Sequence, residues 1–296
     1  MKTKIATSIY KPVNKPKGIV LIIHGMAEHR KRYDEFARFL SDNDLVCVTY
    51  DQIGHGETAT DKNELGYFGE KDGFDSLVHY SYKLALEAKN EFKDIPLIVL
   101  GHSMGSIVAR LLLQKYPDVM DCLILSGPPY YQDFAKVGLM IANIICKVQG
   151  NKNTSKILKN LIGNYDKADK SYKVKNEWLS YNLENVEKYN NDELCGFTFT
   201  NKGYHDLLTG LIQMHDVSKY VQENNQKPIL VFAGCDDPVI GKETGINISV
   251  SDLKNAGYEN IEVKLYENTR HEALLDNKKE EVSKDILAWI IKNIWL

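Results

Sequence analysis

Cysteine is sparse and unpaired: Cys47, Cys122, Cys146, Cys195 and Cys235 form no C-x-x-C, and an odd set closes no disulfide framework. The same spacing offers no zinc site, so no metal is expected and a reduced, cytoplasmic setting fits best. Excess charge is missing too. Thirty-seven basic against 40 acidic side chains leave a formal charge of -3, which gives no nucleic-acid footprint and no polybasic membrane signal. Long apolar runs are absent as well. The most apolar late stretch, VGLMIANIICKV (137–148), falls far short of the roughly 20 residues that span a bilayer. The opening MKTKIATSIYKPVNKPKGIVLIIHG carries two early lysines, but its only apolar run is of strand length with no small-residue cleavage site behind it. No signal peptide is expected. These absences leave a small-molecule partner as the default.

What is present is enough apolar material for one large core: 43% of 296 residues. Six short aliphatic runs end in turn residues: GIVLIIHG from 18, LVCVTYD from 45, LIVLGHS from 97, DCLILSGP from 121, PILVFAGCDD from 228 and IEVKLYEN from 261. Their continuous apolar character reads as strands covered on both faces, as in a parallel sheet. Between them stand helix-period segments such as RYDEFARFLSDN, FDSLVHYSYKLALEAKNEF, GSIVARLLLQKY and the closing EEVSKDILAWIIKNIW. The alternation predicts an α/β fold, a mostly parallel sheet with helices on both faces. It stops between about Pro129 and Asp216, where helical patterns near 134–148, 154–163 and 173–190 carry no core strand. Residues 1–128 and 216–296 therefore read as the core and 129–215 as a helical cap inserted over one edge of the sheet.

One turn carries chemistry. In LIVLGHSMGSIVAR a buried strand meets a helix through Gly101-His102-Ser103-Met104-Gly105 alone. So sharp a turn presents its central serine outward and brings strand and helix backbones so close that only glycine fits at the flanks. A serine nucleophile needs a base, and the base needs a third group to hold its tautomer. After the strand PILVFAG come Asp236 and Asp237, and after IEVKLYENT comes His271, all at carboxyl ends of strands. His24, His55 and His102 stand beside glycines, His79 lies on a helix, and His205 and His215 fall in or beside the insertion; only His271 joins a late position to a strand end. Both aspartates are open as the acid on this ground, since either also serves to cap the next segment. GHGETA (54–59) mimics a dinucleotide fingerprint, but the polar TDKNELGYFGE after it opens no helix, so no nucleotide cofactor is expected.

Several stretches in order, HGMAEHRKRYDEFARFL, YDQIGHGET, LGHSMGS, LSGP, CGFTFTNKGYHDLL, GCDDPV and RHEALLD, resemble the monoacylglycerol lipase and lysophospholipase-like branch of the α/β-hydrolase superfamily, also described as serine aminopeptidase-like hydrolases. The resemblance runs over nearly the whole chain. It implies Ser103 as nucleophile, His271 as base and Asp237 as the acid, three residues past the strand-end Gly234. It also implies an oxyanion hole made by the backbone N–H groups of Met26 and Met104, with Met26 bulkier than the family's usual residue and so narrowing the acyl pocket. No cofactor is implied. The apolar cap helix with Phe134, Leu139 and Ile145 either walls an acyl groove, docks on a lipid surface or packs the cap on the core. The expected activity is cofactor-free hydrolysis of an acyl ester of monoacylglycerol or lysophospholipid type through an acyl-enzyme. Two alternatives stand beside it. One is a small-peptide aminopeptidase, its amine anchor drawn from Glu177, Glu184, Glu187, Asp192 and Glu193; the other is a non-catalytic binder of the same fold.

Overall fold

The computed structural model describes residues 4–130, 134–162, 165–221 and 226–294. All six expected strands form: β2 (Gly18–Ile23), β3 (Leu45–Tyr50), β4 (Leu97–His102), β5 (Cys122–Ser126), β6 (Ile229–Gly234) and β7 (Ile261–Tyr266). A seventh, β1 (Thr7–Tyr10), pairs antiparallel on β3, and the sheet runs β1-β3-β2-β4-β5-β6-β7 with every other pair parallel. The chain first winds outward from β2 to β3, then returns to β4 and winds the other way. Such a reversal opens a crevice at the carboxyl edge of the strands.

Alternate residues of each strand feed two cores. Ile19, Leu21 and Ile23 face one, Val20 and Ile22 the other, and all are buried. On the second face lie α1 (Asp34–Asp42) and α9 (Lys279–Ile294). On the first lie α2 (Gly73–Glu91), α3 (Met104–Lys115) and α8 (Lys242–Asn255). β7 departs from the expected double cover. It is the edge strand, and Val263 and Leu265 are 42% and 40% exposed because only the α9 side is packed.

Between β5 and β6 the described residues hold no strand. They form α4 (Phe134–Gln149), α5 (Lys156–Ile162), α6 (Leu183–Asn191) and α7 (Asn201–Met214). The 173–190 pattern is a shorter α6 preceded by a single 3-10 turn at Glu177–Leu179. α7 packs on α4 and also on α2 and α3, so it joins the inserted helices to the sheet. Its start is fixed by Thr200, whose hydroxyl accepts the Gly203 N–H. No helix among the described residues is long and apolar enough to cross a membrane.

Candidate active site

The strand-to-helix turn at Ser103 is as tight as its glycines imply. A Cβ on Gly105 would lie 2.1 Å from the Ile23 carbonyl oxygen, and one on Gly101 2.3 Å from that of Gly105. No side chain survives such contacts. Ser103 itself takes φ 51° and ψ -119°, a conformation costing on the order of 1–3 kcal/mol for a non-glycine residue. Its neighbours hold it there: the Ser103 N–H donates to Ser126 O at 2.9 Å, and the Ser106 hydroxyl donates to Ser103 O at 2.6 Å. Strain and anchorage together leave Ser103 half-buried and lining a cavity at the carboxyl edge of the sheet.

His271 lines the same cavity from the loop after β7, and its Nδ1 lies 2.8 Å from Asp237 Oδ2. Both are 2% exposed. The other oxygen of Asp237 accepts the Val239 N–H at 2.8 Å, so this carboxylate caps its own turn and orients the imidazole at once. Asp236 points to the surface, where it accepts the Tyr181 hydroxyl. Geometry thus pairs His271 with Asp237, as the family spacing implies. Burial works against a proton on His271, but the Asp237 charge and hydrogen bond outweigh it and raise its pKa. Gly127, at φ +52°, gives this pair room: a Cβ there would stand 3.1 Å from Asp237 Oδ2 and from His271 Nδ1.

Met26 and Met104 border the cavity beside Ser103, and among the described residues neither backbone N–H has a hydrogen-bond partner. Two free donors bordering one cavity with a strained serine are the arrangement an oxyanion hole requires. The remaining wall sets apolar Ile107, Phe197, Leu207, Leu208, Leu211 and Val239 beside polar and charged side chains that include Lys159, Asp166, Lys175 and Asn176. Here the expected pocket residues need correction. Phe134 is 49% exposed, Leu139 is partly buried, Ile145 is buried, and none of the three lines the cavity. The reason is packing: α4 packs on α7, Leu208 of α7 lies 3.4 Å from where a Cβ on Gly138 of α4 would stand and also lines the cavity, so α7 stands between α4 and the site.

His24, His55 and His102 are buried in structural contacts. His24 Nε2 accepts the Gln52 N–H, and His55 sits among Phe68, Phe197 and Phe199. His102 Nδ1 meets Ser126 Oγ at 3.1 Å, and burial with nearby His271 pushes its pKa down to about 4. The proposed amine anchors also lie elsewhere: Glu177 is paired with Arg270, Glu184 with Lys188, Asp192 with His29 and Glu193 with Lys62, and none of the five lines the cavity.

A buried ionic cluster beside the site is invisible in the sequence. Arg32 binds Glu28 at 2.6 Å and grips Glu272, while Glu28 accepts the Gly25 N–H and the Tyr33 hydroxyl. Burial alone would raise the Glu28 carboxyl, yet Arg32, with His102 and His24, holds it down to about 2. The arginine thus links the turn before Met26 to the residue after His271. Arg32 and Glu272 are 240 positions apart, so only the folded chain reveals the pair. One trio, His29, Asp192 and Cys195, gathers three metal-ligating atoms within 4.8 Å. His29 Nε2 already bonds Asp192 Oδ2 at 2.8 Å, which makes the trio a polar joint between α6 and the core.

A seven-stranded, mostly parallel sheet with a serine elbow after the central strand and a histidine–aspartate pair at the same edge defines an α/β-hydrolase. More narrowly, the family model described as serine aminopeptidase, S33, matches residues 14–278, and the chain belongs to that family. It is 26% identical over 294 residues to a monoglyceride lipase homolog of Monkeypox virus, covering 96% of this chain and 93% of the relative. It is also 26% identical over 292 residues to a monoacylglycerol lipase of Mycolicibacterium smegmatis, covering 98% and 94%. Among solved structures, a thermostable carboxyl esterase from Bacillus coagulans in complex with glycerol matches with TM-score 0.88 at 26% identity, over 99% of this chain and 95% of that one.

Proposed function

We propose that the chain is a serine hydrolase that cleaves carboxylic esters bearing an acyl chain, of monoacylglycerol or lysophospholipid type, through an acyl-enzyme. The observation that carries this reading is one cavity edged by strained Ser103, the unpartnered N–H groups of Met26 and Met104, and the buried His271–Asp237 pair. Ser103 Oγ attacks the ester carbonyl as His271 takes its proton, and the developing oxyanion receives both N–H groups. Collapse expels the alcohol, which takes the proton back from His271. Water, deprotonated by the same imidazole, then attacks the acyl carbonyl; the Ser103 Oγ–acyl bond breaks, the acid leaves, and Oγ takes the proton back from His271. No step calls for a cofactor.

The apolar wall of Ile107, Leu207, Leu208 and Leu211 suits the acyl chain, and residues 129–215 act as the cap that roofs it. α4 turns its exposed side chains outward. Phe134, Val137, Met140, Ile144 and Val148, spaced three and four apart, are 47–78% exposed along one helix face, which supports transient contact with a lipid surface. A cytoplasmic setting belongs to this reading on cysteine spacing alone. The test is a hydrolysis panel with Ser103→Ala as blank: nitrophenyl esters of rising acyl length, monoacylglycerol, lysophosphatidylcholine and an aminoacyl nitroanilide. Serine-dependent ester cleavage with a chain-length preference is expected. Anilide cleavage without ester cleavage would move the protein to the peptidase side.

A further inference from the structure

His271 lies on a stretch with no helix or strand of its own, between β7 and α9. A catalytic imidazole must nevertheless be held to within about 0.5 Å of its productive position. The Asp237 bond orients the ring. The backbone on either side is held from elsewhere, by the segment from Glu177 to Asn182 in the inserted region.

Four residues of the histidine loop reach that segment, among them Leu275, whose carbonyl accepts from Asn182 Nδ2 at 3.3 Å. Arg270, 6% exposed, donates through Nη1 to Glu177 O at 2.7 Å and to Ser180 O at 3.3 Å, and its guanidinium lies 3.8 Å from the Tyr181 ring centroid and 4.8 Å from that of Tyr172. On the other side of the histidine, the Glu272 N–H donates to Leu179 O at 2.8 Å. Asp276, fully buried, closes the ring of contacts: Oδ1 accepts the Tyr181 and Asn182 N–H groups at 2.9 and 3.2 Å, and Oδ2 accepts the Arg270 N–H at 2.8 Å. Within the segment, the Trp178 ring centroid stands 5.3 Å from that of His271. Carbonyls at 177, 179 and 180 and amides at 181 and 182 are thus consumed by the loop that carries the base.

We propose that residues 177–182, although inserted with the cap, are a positioning element for His271, strapped to its loop by Arg270 and Asp276, and that they do not travel with any opening of the cap. Substrate entry then depends on movement elsewhere in the insertion, on the side of α4 and α5, where no such bonds to the histidine loop occur among the described residues. The inference rests on the ester hydrolase reading, and its test separates the two.

Arg270→Gln and Asp276→Asn remove the strap without touching the cavity wall. With a short, soluble nitrophenyl ester, each is expected to lower kcat about 100-fold, the cost of a base misplaced by about 1 Å, while KM changes less than about 3-fold. Labelling of Ser103 by a fluorophosphonate should slow in parallel, and the acid limb of the kcat profile should move to lower pH as the His271–Asp237 pair loosens. Arg270→Lys, which keeps the charge but not the fork, should recover part of the rate. Should Arg270→Gln fail to fold, Tyr181→Ala removes the ring under the guanidinium from the surface side and should cost about 10-fold in kcat. Variants that melt lower but keep kcat within about 3-fold of the parent would overturn the strap and leave a structural role. A parent with no Ser103-dependent ester hydrolysis would overturn the ester hydrolase reading itself.

Discussion

Replacing Asp237 with asparagine should nearly abolish hydrolysis, and the structure says why an amide is no substitute here. Asp237 uses one oxygen to accept the Val239 N–H and the other to accept from His271 Nδ1, both at 2.8 Å. An asparagine has a single acceptor oxygen. The Val239 N–H can only donate, so it claims that oxygen and turns the NH2 group toward His271. Facing a donor, Nδ1 must become the acceptor, the ring proton moves to Nε2, and the nitrogen that should deprotonate Ser103 is blocked. A wrong tautomer of this kind costs about 10⁴-fold in kcat. The turn keeps its cap bond, so the melting temperature should fall by no more than a few degrees, about 1 kcal/mol. Asp236→Asn is the matched control: an exposed residue whose amide oxygen can still accept the Tyr181 hydroxyl should keep activity within about 2-fold. Initial rates on a short nitrophenyl ester, read against Ser103→Ala, decide it. An Asp237→Asn enzyme within about 10-fold of the parent would refute the tautomer argument, and a collapse in Asp236→Asn would transfer the role of acid.

Ser103→Ala and His271→Ala should each remove at least about 10⁴-fold of hydrolysis with the circular dichroism spectrum intact, because members of such a set act as a unit. His271 must be neutral to accept a proton; since Asp237 raises its pKa against the opposing pull of burial, activity should be lost on acidification with a midpoint above the ordinary 6.5, read from the kcat/KM profile. Without the Asp237 charge, burial is opposed only by the weaker pull of Glu272 and Glu28, so the residual activity of Asp237→Asn should persist to lower pH. Gly105→Ala sets a Cβ 2.1 Å from the Ile23 carbonyl and should destabilise the fold by about 3 kcal/mol, visible as a shift of the urea midpoint.

How far each feature can be read from the sequence depends on how it is encoded. β2 to β6 are continuous apolar runs because both faces are buried, and the residues just past β2, β4 and β6 inherit their place at the crevice from that pattern alone. β1 escaped because TSIY is four residues on an edge, with every other residue exposed. α8 escaped because KETGINISVSDLKN mixes β-branched residues with a glycine that packs against the Ile240 carbonyl, and shows little apolar periodicity. That Phe134, Leu139 and Ile145 stand off the cavity has a different reason. A 3.6 period shows that α4 has an apolar face and is silent on what that face meets; the helix buries Ala135, Gly138, Ala142 and Ile145 against its neighbours and leaves Phe134 and Met140 outside.

The least legible parts of the site are polar contacts between distant segments: Arg32 with Glu272, Arg270 with the carbonyls of Glu177 and Ser180, Asp276 with the amides of Tyr181 and Asn182. Local pattern encodes none of them, since each joins residues about 90 to 240 positions apart, and a lone arginine in sequence reads as a solvated side chain. Once buried, each must be satisfied, because an unpaired charge in the interior costs several kcal/mol. That requirement makes these contacts cooperative: removing one partner strands the other beside the reacting groups. On the proposed reading the strands therefore fix where Ser103, Asp237 and His271 can be, and the buried polar contacts fix how closely they are held there.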